Sequence, residues 1–552
     1  MRLLLAAAAV LGLLLAGPAA AQTPGSTSQK LLPRAPSDPN ALSRPQTMTR
    51  KPPLHRLTGN AALVIAKRSP KVAEALEDDP KAKPEVFLKG PVRWQVSWFT
   101  PGKGKDRREV AQVLVDDATG AILEAWNGPQ VAWTMARGYP GAFGRKVNSP
   151  WVWIPLTVLF VAPFVAWRRP LRMLHLDLVV LAAFGVSVAF FNDANIDASV
   201  PIVYPLLAYL LARALWLAFR TGRTAHPPQL PLVVPVGWLA VALVFLVGFR
   251  VGLNITNSNV IDVGYAGVIG ADKLVDGEPL YGAFPKDNEH GDTYGPVTYA
   301  AYVPFEQAMP WSGRWDELPA AHGAAIAFDL ATMALLFLVG RNLGGRGLGI
   351  VLAYLWATWP FTLYALNTNS NDSLVALFAV LALAVATSPP ARGIAAALGG
   401  LAKFGSLGLV PLLATHGARR GTWWRTVIPF TLAFVGVALI AVMPILAQGE
   451  SWSTVYDRTI GFQAGRDAPF SIWGLYDLEG LQHVWQALAA LLVVAAAFLP
   501  RRRDVVGLAA MGAAVTIALQ LGVTYWFYLY LVWFFPLLAV ALFARYRVPE
   551  PA

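Results

Sequence analysis

The chain contains no cysteine, which excludes disulfide bridges and thiolate metal sites. It is also poor in charge. Asp, Glu, Lys and Arg supply 14% of the 552 residues, whereas hydrophobic residues supply 55%. A soluble protein of this length needs far more charge to cover its surface, and a mean hydropathy of +0.47 points the same way. No Gly-rich phosphate loop of the Walker or Rossmann type occurs, so direct use of ATP or a nucleotide sugar has no support. Acidic residues are the minority, 33 Asp and Glu against 45 Lys and Arg. Most of the arginines after residue 150 stand at the ends of apolar segments, where the positive-inside bias puts them. The excess charge therefore reports topology, not nucleic-acid binding.

What is present divides into four stretches. Residues 1–22 carry a basic start, a short Leu/Ala run and an Ala19-Ala20-Ala21 end, the pattern of a signal peptide, with an uncleaved anchor as the alternative. Residues 23–55, rich in Pro, Ser, Thr and Arg, read as a disordered linker. Residues 56–145 read as a small soluble α+β domain. A helix carries Leu63, Ile65, Val72, Ala75 and Leu76 and is closed by Pro80. Two alternating runs, Val92 to Phe99 and Val110 to Val115, read as strands. A turn at Asp116-Asp117-Ala118-Thr119-Gly120 then leads into Ala121 to Trp126. This helix, strand and hairpin order resembles the PepSY fold. It holds no catalytic constellation, since His55 stands alone, so the domain reads as a structural or binding module.

Residues 150–545 form the fourth stretch, an all-α polytopic membrane domain. Apolar segments of spanning length, about 20 residues each, fall near 150–167, 176–191, 199–219, 231–250, 320–340, 347–366, 372–388, 424–447, 482–499, 505–522 and 524–544. If residue 150 starts outside, the arginine-rich ends all fall inside, provided that 393–415 enters and leaves on one side. Gly393, Gly399, Gly400, Gly405, Gly408 and Lys403 interrupt that segment, which favours a re-entrant hairpin over an ordinary span. Two long loops, 251–319 and 448–481, and the polar stretch Asn367 to Asp372 then face outward.

The first long loop carries Asp262 directly after a span, in Asn259-Val260-Ile261-Asp262-Val263-Gly264-Tyr265-Ala266. Glu278-Pro279-Leu280-Tyr281-Gly282 and Tyr294-Gly295-Pro296 follow. A carboxylate at the lipid–water boundary suits a general base acting on a hydroxyl; the bland reading is a solvated loop residue or a helix N-terminal charge. The order of these motifs resembles the first outer loop of GT-C glycosyltransferases. It is similar in particular to family 87, which includes polyprenol-phosphate-mannose-dependent mannosyltransferases. Asn367 to Asp372, Phe462 to Tyr476 and Tyr525 to Pro536 agree in order, so the resemblance covers roughly residues 230–545. Tyr-Gly-Pro departs from the more usual Tyr-Pro-Pro.

The resemblance implies an inverting transferase that moves mannose or another hexose from a polyprenyl-phosphate donor to a glycan, glycolipid or glycoprotein. The reaction would lie on the outer face of the cytoplasmic membrane, with Asp262 as base. Tyr265, Tyr294, Asn369, Asp372 and Trp473 are expected to bind substrate, although Asn369 and Asp372 also suit helix capping and Trp473 an interface belt. Arg250, Arg458 and Arg466 are candidates to hold the phosphate, or are snorkelling arginines. Lys403 either reaches the phosphate from the hairpin tip or neutralises Asp329. Glu289, His290 and Asp292 are too mixed a set to imply a metal, and no cofactor is expected. The rival readings are a lipid-linked sugar flippase or transporter, and a membrane-anchored sensor or scaffold.

Overall fold

The computed structural model describes residues 42–53, 55–90, 92–102, 107–138, 143–166, 168–220, 227–464, 468–499 and 504–550. The signal-peptide stretch, most of the linker and Arg466 lie outside these residues. The chain divides into two compact units between Tyr139 and Pro140.

The first unit is a five-stranded antiparallel sheet in sequential order: β1 (Leu42–Ser43), β2 (Lys83–Lys89), β3 (Arg93–Phe99), β4 (Glu109–Asp116) and β5 (Ile122–Asn127). Strand β1 comes from the stretch read as linker, and Met48 from the same stretch packs on the core. The expected single helix is two, α1 (Gly59–Ala66) and α2 (Pro70–Asp78). Thr58 caps the first by accepting from Ala61 N–H. Pro70 starts the second at the position where a missing N–H costs nothing. Trp94, Val96 and Trp98 alternate on one face of β3 and pack in one core with Ala62, Ala66, Val72 and Ala75. On the other face, Gln95 donates to Ser97 and accepts from Lys89, so its burial leaves no orphan amide.

The β4–β5 turn ties the unit's entry segment to the sheet through Asp117. Its carboxylate accepts from the backbone N–H of Arg56 (2.6 Å) and Leu57 (3.0 Å) and from the Trp94 indole (2.7 Å). Burial opposes the charge, yet these donors outweigh it and hold the group below the usual carboxylate range.

Among its described residues the second unit is built of helices, apart from an isolated parallel bridge between Gln229 and Arg547. Among the described residues, five helices are long and apolar enough to cross a membrane: α4 (Met173–Asn192), α5 (Ile196–Phe219), α6 (Val236–Thr256), α9 (Pro319–Thr358) and α14 (Trp424–Ala447). Helix α9 is two helices meeting at a kink at Gly344–Gly345, where Gly345 has φ +85°. Shorter helices complete the unit: α3 (Pro150–Val161), α7 (Asp262–Asp276), α8 (Pro296–Ala308), α10 (Pro360–Asn367) and α11 (Asp372–Ala384), then α12 (Pro389–Ala402), α13 (Val410–Thr415), α15 (Glu479–Ala495), α16 (Val505–Gln520) and α17 (Leu531–Phe543). Only 22% of the apolar window of α6 and 17% of that of α14 is buried. Val244 and Phe245 on α6 are about three-quarters exposed, at 73% and 75%. Such faces are unstable in water and natural in lipid; this unit is membrane-embedded.

Three details differ from the sequence reading. The unit boundary lies before residue 145, because Gly144 N–H bonds Asn259 Oδ1 and Lys146 N–H bonds Asn257 Oδ1, tying this stretch to the helical unit. The last segment is not helical from 524: residues 523–527 are irregular, and α17 begins at Leu531. Tyr528, within the segment read as a span, lies instead in a 3₁₀ turn and is buried, with its hydroxyl 2.7 Å from Ser187 Oγ.

Segment 393–415 is a broken hairpin. Helix α12 runs to Ala402, Lys403 is extended, a 3₁₀ turn covers Phe404–Leu409 and α13 follows. Near the start of α12, Arg392 Nε donates to Leu413 O (2.9 Å) and an Nη to His416 O (2.7 Å). The two ends therefore lie side by side, with Lys403 at the turn.

Asp117→Ala is expected to remove about 2 kcal/mol from the attachment of residues 55–57, giving ~30-fold faster hydrogen exchange at the Arg56 and Leu57 amides of the full chain. The folded-state value of Asp117 is depressed, so its stabilisation is complete above the unfolded value of about 3.9 and fades as pH falls through the folded one. Relative to the intrinsic exchange rate at each pH, wild-type exchange at these amides should accelerate only in that acidic window. The Asp117→Ala variant should show no such step.

Candidate active site

A buried polar brace positions Asp262. Asn369 adopts φ +52°, a left-handed conformation that asparagine tolerates better than most residues. Its Oδ1 accepts from Asn254 (2.8 Å), and its Nδ2 donates to Ser258 Oγ (3.1 Å) and Asn259 O (3.0 Å). The backbone N–H of Asn259 and Ile261 bond Asn367 O and Thr368 O. Gly264 lies against the same loop so tightly that a Cβ would stand 2.2 Å from Asn369 O. The 258–261 segment and the first turn of α7, which begins at Asp262, are thus clamped from behind. The Asp262 carboxylate is exposed in the first turn of that helix, at the positive end of its dipole. Asn288 holds its carbonyl at 3.0 Å.

Lys403 comes to the same place from the hairpin. Its ammonium is 2.6 Å from Asp372 Oδ1, which also accepts from the Trp533 indole at 2.8 Å. The rings of Tyr294 (5.2 Å), Trp533 (5.2 Å) and Tyr530 (5.8 Å) surround it, a cation–π box. Asp372 Oδ2 is buried without a partner. Tyr294 is the shared neighbour: burial, then the charges of Asp262, Tyr530 and Asp372, push its hydroxyl well above the usual phenol range.

The second long loop is fastened over the first. Glu450 accepts from the N–H groups of Leu280 and Tyr281. Tyr281 then donates its hydroxyl to Tyr294 O at 3.0 Å. Asp292 accepts from Gly282 N–H (2.6 Å) and pairs with Arg458 (2.8 Å). Gly282 sits at φ +83°, a conformation that explains the glycine. Burial raises both Asp292 and Glu450 above the usual carboxylate range.

The site residues expected from sequence separate on these grounds. Tyr294, Asp372 and Lys403 meet in one cluster, and the exposed Asp262 is among the charges that bear on Tyr294. Asn369 is fully buried, and its amide braces the loop instead of meeting a ligand. Tyr265 is buried against Trp315 and Trp311 with its hydroxyl toward Asp287. Arg250 is not a phosphate ligand: it is fully buried on α6 and bonds Asp329 of α9, Ala357 O and Thr362. Asp329 is therefore the partner of Arg250, not of Lys403. Trp473 is no sugar platform: it is buried edge-on to Tyr204 and donates to Leu521 O. Arg458 is engaged by Asp292. Glu289 and His290 lie together, with His290 Nε2 3.4 Å from Glu289 Oε1 and its ring stacked on Phe462, but Asp292 turns away from them to Arg458. No group of three or more His, Cys, Asp or Glu able to hold a metal occurs among the described residues. An apolar cavity lined by Phe378, Gly399, Leu412, Leu508 and Leu537 lies beneath the hairpin and is lined by no ionisable group.

Sequence reasoning missed Tyr281, Glu450, Tyr530, Trp533, Gly295 and Thr298 as parts of this arrangement. One signal was available: a lysine inside an apolar segment needs a counter-charge, and Asp372 opens the next apolar segment upstream. The chain matches no protein-family model and no curated protein.

Arg250→Met leaves Asp329 buried and unpaired, and is expected to destabilise the helical unit by about 3–5 kcal/mol. The double variant Arg250→Met, Asp329→Leu should recover most of that loss. Thermal melting of the detergent-solubilised protein checks both, and an additive double variant would show that the pair is not the origin.

Proposed function

We propose that the chain is an inverting GT-C-type glycosyltransferase that uses a polyprenyl-phosphate-linked hexose as donor. The observation that carries the reading is the caged ammonium that a broken hairpin delivers beside Tyr294 and Asp372, on a loop whose Asp262 carboxylate is exposed. In the proposed reaction the acceptor hydroxyl oxygen attacks the anomeric carbon from the face opposite the phosphate. Its proton passes to Asp262. The bond from the anomeric carbon to the phosphate oxygen breaks with the electron pair remaining on that oxygen, and Lys403 offsets the charge left there. Asp372 and the three rings hold the ammonium in place.

The side-by-side ends of segment 393–415 support the topology in which this site faces outward. On that topology the shorter apolar helices join the five long ones to make about eleven spans. We read the first unit as a PepSY-like exported module that binds an acceptor, a wall component or a partner.

Incubation of the full-length protein in membranes with radiolabelled polyprenyl-phosphate sugars tests the proposal. Asp262→Asn should lower transfer by about 10²- to 10⁴-fold, with wild-type melting behaviour. Turnover retained by that variant would sink the assignment of the base.

A further inference from the structure

Tyr294-Gly295-Pro296 is the point at which the chain departs from the family it resembles, and the departure has a physical partner. Gly295 has φ −72° and ψ 157°, angles that any residue adopts, proline included, so backbone conformation does not demand glycine. Space and hydrogen bonding do. A Cβ on Gly295 would stand 1.9 Å from Leu401 O. The Gly295 N–H, which proline lacks, donates to Ala402 O at 3.2 Å. Thr298 Oγ1 donates to the same carbonyl at 2.8 Å.

That carbonyl needs them. It ends α12, where the last C=O groups have no donor within the helix, and the next Ser406 N–H turns to Lys403 O. The hairpin tip is thus docked on the start of α8 by two donors to one buried oxygen, immediately before the lysine that enters the aromatic box. Tyr294, the residue before Gly295, supplies one wall of that box. The same short stretch therefore fixes both the lysine's backbone and one of the rings over its ammonium.

We infer that Gly295 and Thr298 are positioning residues that set the hairpin tip so that Lys403 meets the phosphate of a lipid-linked donor. This rests on the transferase reading for the identity of the ligand, but not for the docking itself. Both residues act through Lys403, so their effects depend on that side chain. They also bear on an anionic headgroup and not on the hydrocarbon chain behind it.

Binding of a long-chain polyprenyl monophosphate to the full-length protein in neutral-lipid nanodiscs tests this, with the uncharged polyprenol as control. Thr298→Val keeps the shape and removes one donor. It is expected to weaken phosphate binding roughly tenfold and leave polyprenol binding unchanged. Thr298→Ser should return binding to within about twofold of wild type, and Gly295→Pro should lose at least as much as Thr298→Val. In a Lys403→Gln background Thr298→Val should add nothing further. Wild-type binding by Thr298→Val and Gly295→Pro, equal losses for phosphate and alcohol, or full additivity with Lys403→Gln would each overturn the inference. Equal competition by phosphatidylglycerol in the nanodisc would overturn its assignment to a prenyl-linked phosphate. Lys403-dependent binding without sugar transfer would remove the transferase reading and leave the positioning role standing.

Discussion

An ammonium group buried in an apolar surround sets the terms for this protein. Lys403 sits at the turn of a broken hairpin rich in alanine, glycine and leucine, and its side chain is 9% exposed. Removing such a charge from water costs several kcal/mol unless a counter-ion and hydrogen bonds offset it. Asp372 supplies the counter-ion, and Trp533 holds Asp372 from the other side. Three rings take up the remaining solid angle. These groups come from three separate parts of the chain: Asp372 from the start of α11, Tyr294 from the first long loop, and Tyr530 and Trp533 from the final segment. Their agreement on one point organises the site.

The other buried pairs do different work. Asp177 and Arg213 are bidentate between α4 and α5, with Tyr209 on the same carboxylate. Arg250 and Asp329 join α6 to α9 and draw in Trp356 and Thr362. In both, the cation is an arginine, whose fork satisfies a carboxylate with two donors and fixes register. Lys403 is a point charge with a flexible stem, beside a carboxylate that keeps one oxygen unpartnered. On the proposed reading, that asymmetry suits the lysine pair, rather than the bidentate arginine pairs, to a site that exchanges partners.

Much of the architecture was legible in the sequence because it follows from local rules. Long apolar runs marked the membrane unit, alternation marked β3 and β4, and glycines around Lys403 marked the broken hairpin. Asp262 could be singled out because it follows a span directly. What could not be read was pairing across the fold. Asp329 and Asp372 are both isolated acids at apolar segments, and periodicity does not say which meets Lys403 and which meets Arg250. The polar run Asn367 to Asp372 looked like a sugar-binding edge. Its burial follows from the close approach of Gly264 and from the left-handed Asn369, neither of which leaves a pattern in the sequence. Trp473 sits in a motif that the resemblance covers, yet its indole is spent on Leu521 O.

The glycine of Tyr294-Gly295-Pro296 shows how a broken helix transmits position. Ending α12 at Ala402 leaves a carbonyl that, unpaired in a low-dielectric surround, costs about 1–3 kcal/mol. The chain meets that cost from outside the hairpin, using donors on α8 instead of solvent or a cap of its own. The hairpin tip and the start of α8 are consequently one rigid element. The opposite end of the same loop is held by Tyr281 and, through Leu280 and Tyr281, by Glu450 of the second long loop. A displacement of the second loop is therefore carried through Tyr281 to Tyr294 and on to the ring that covers Lys403.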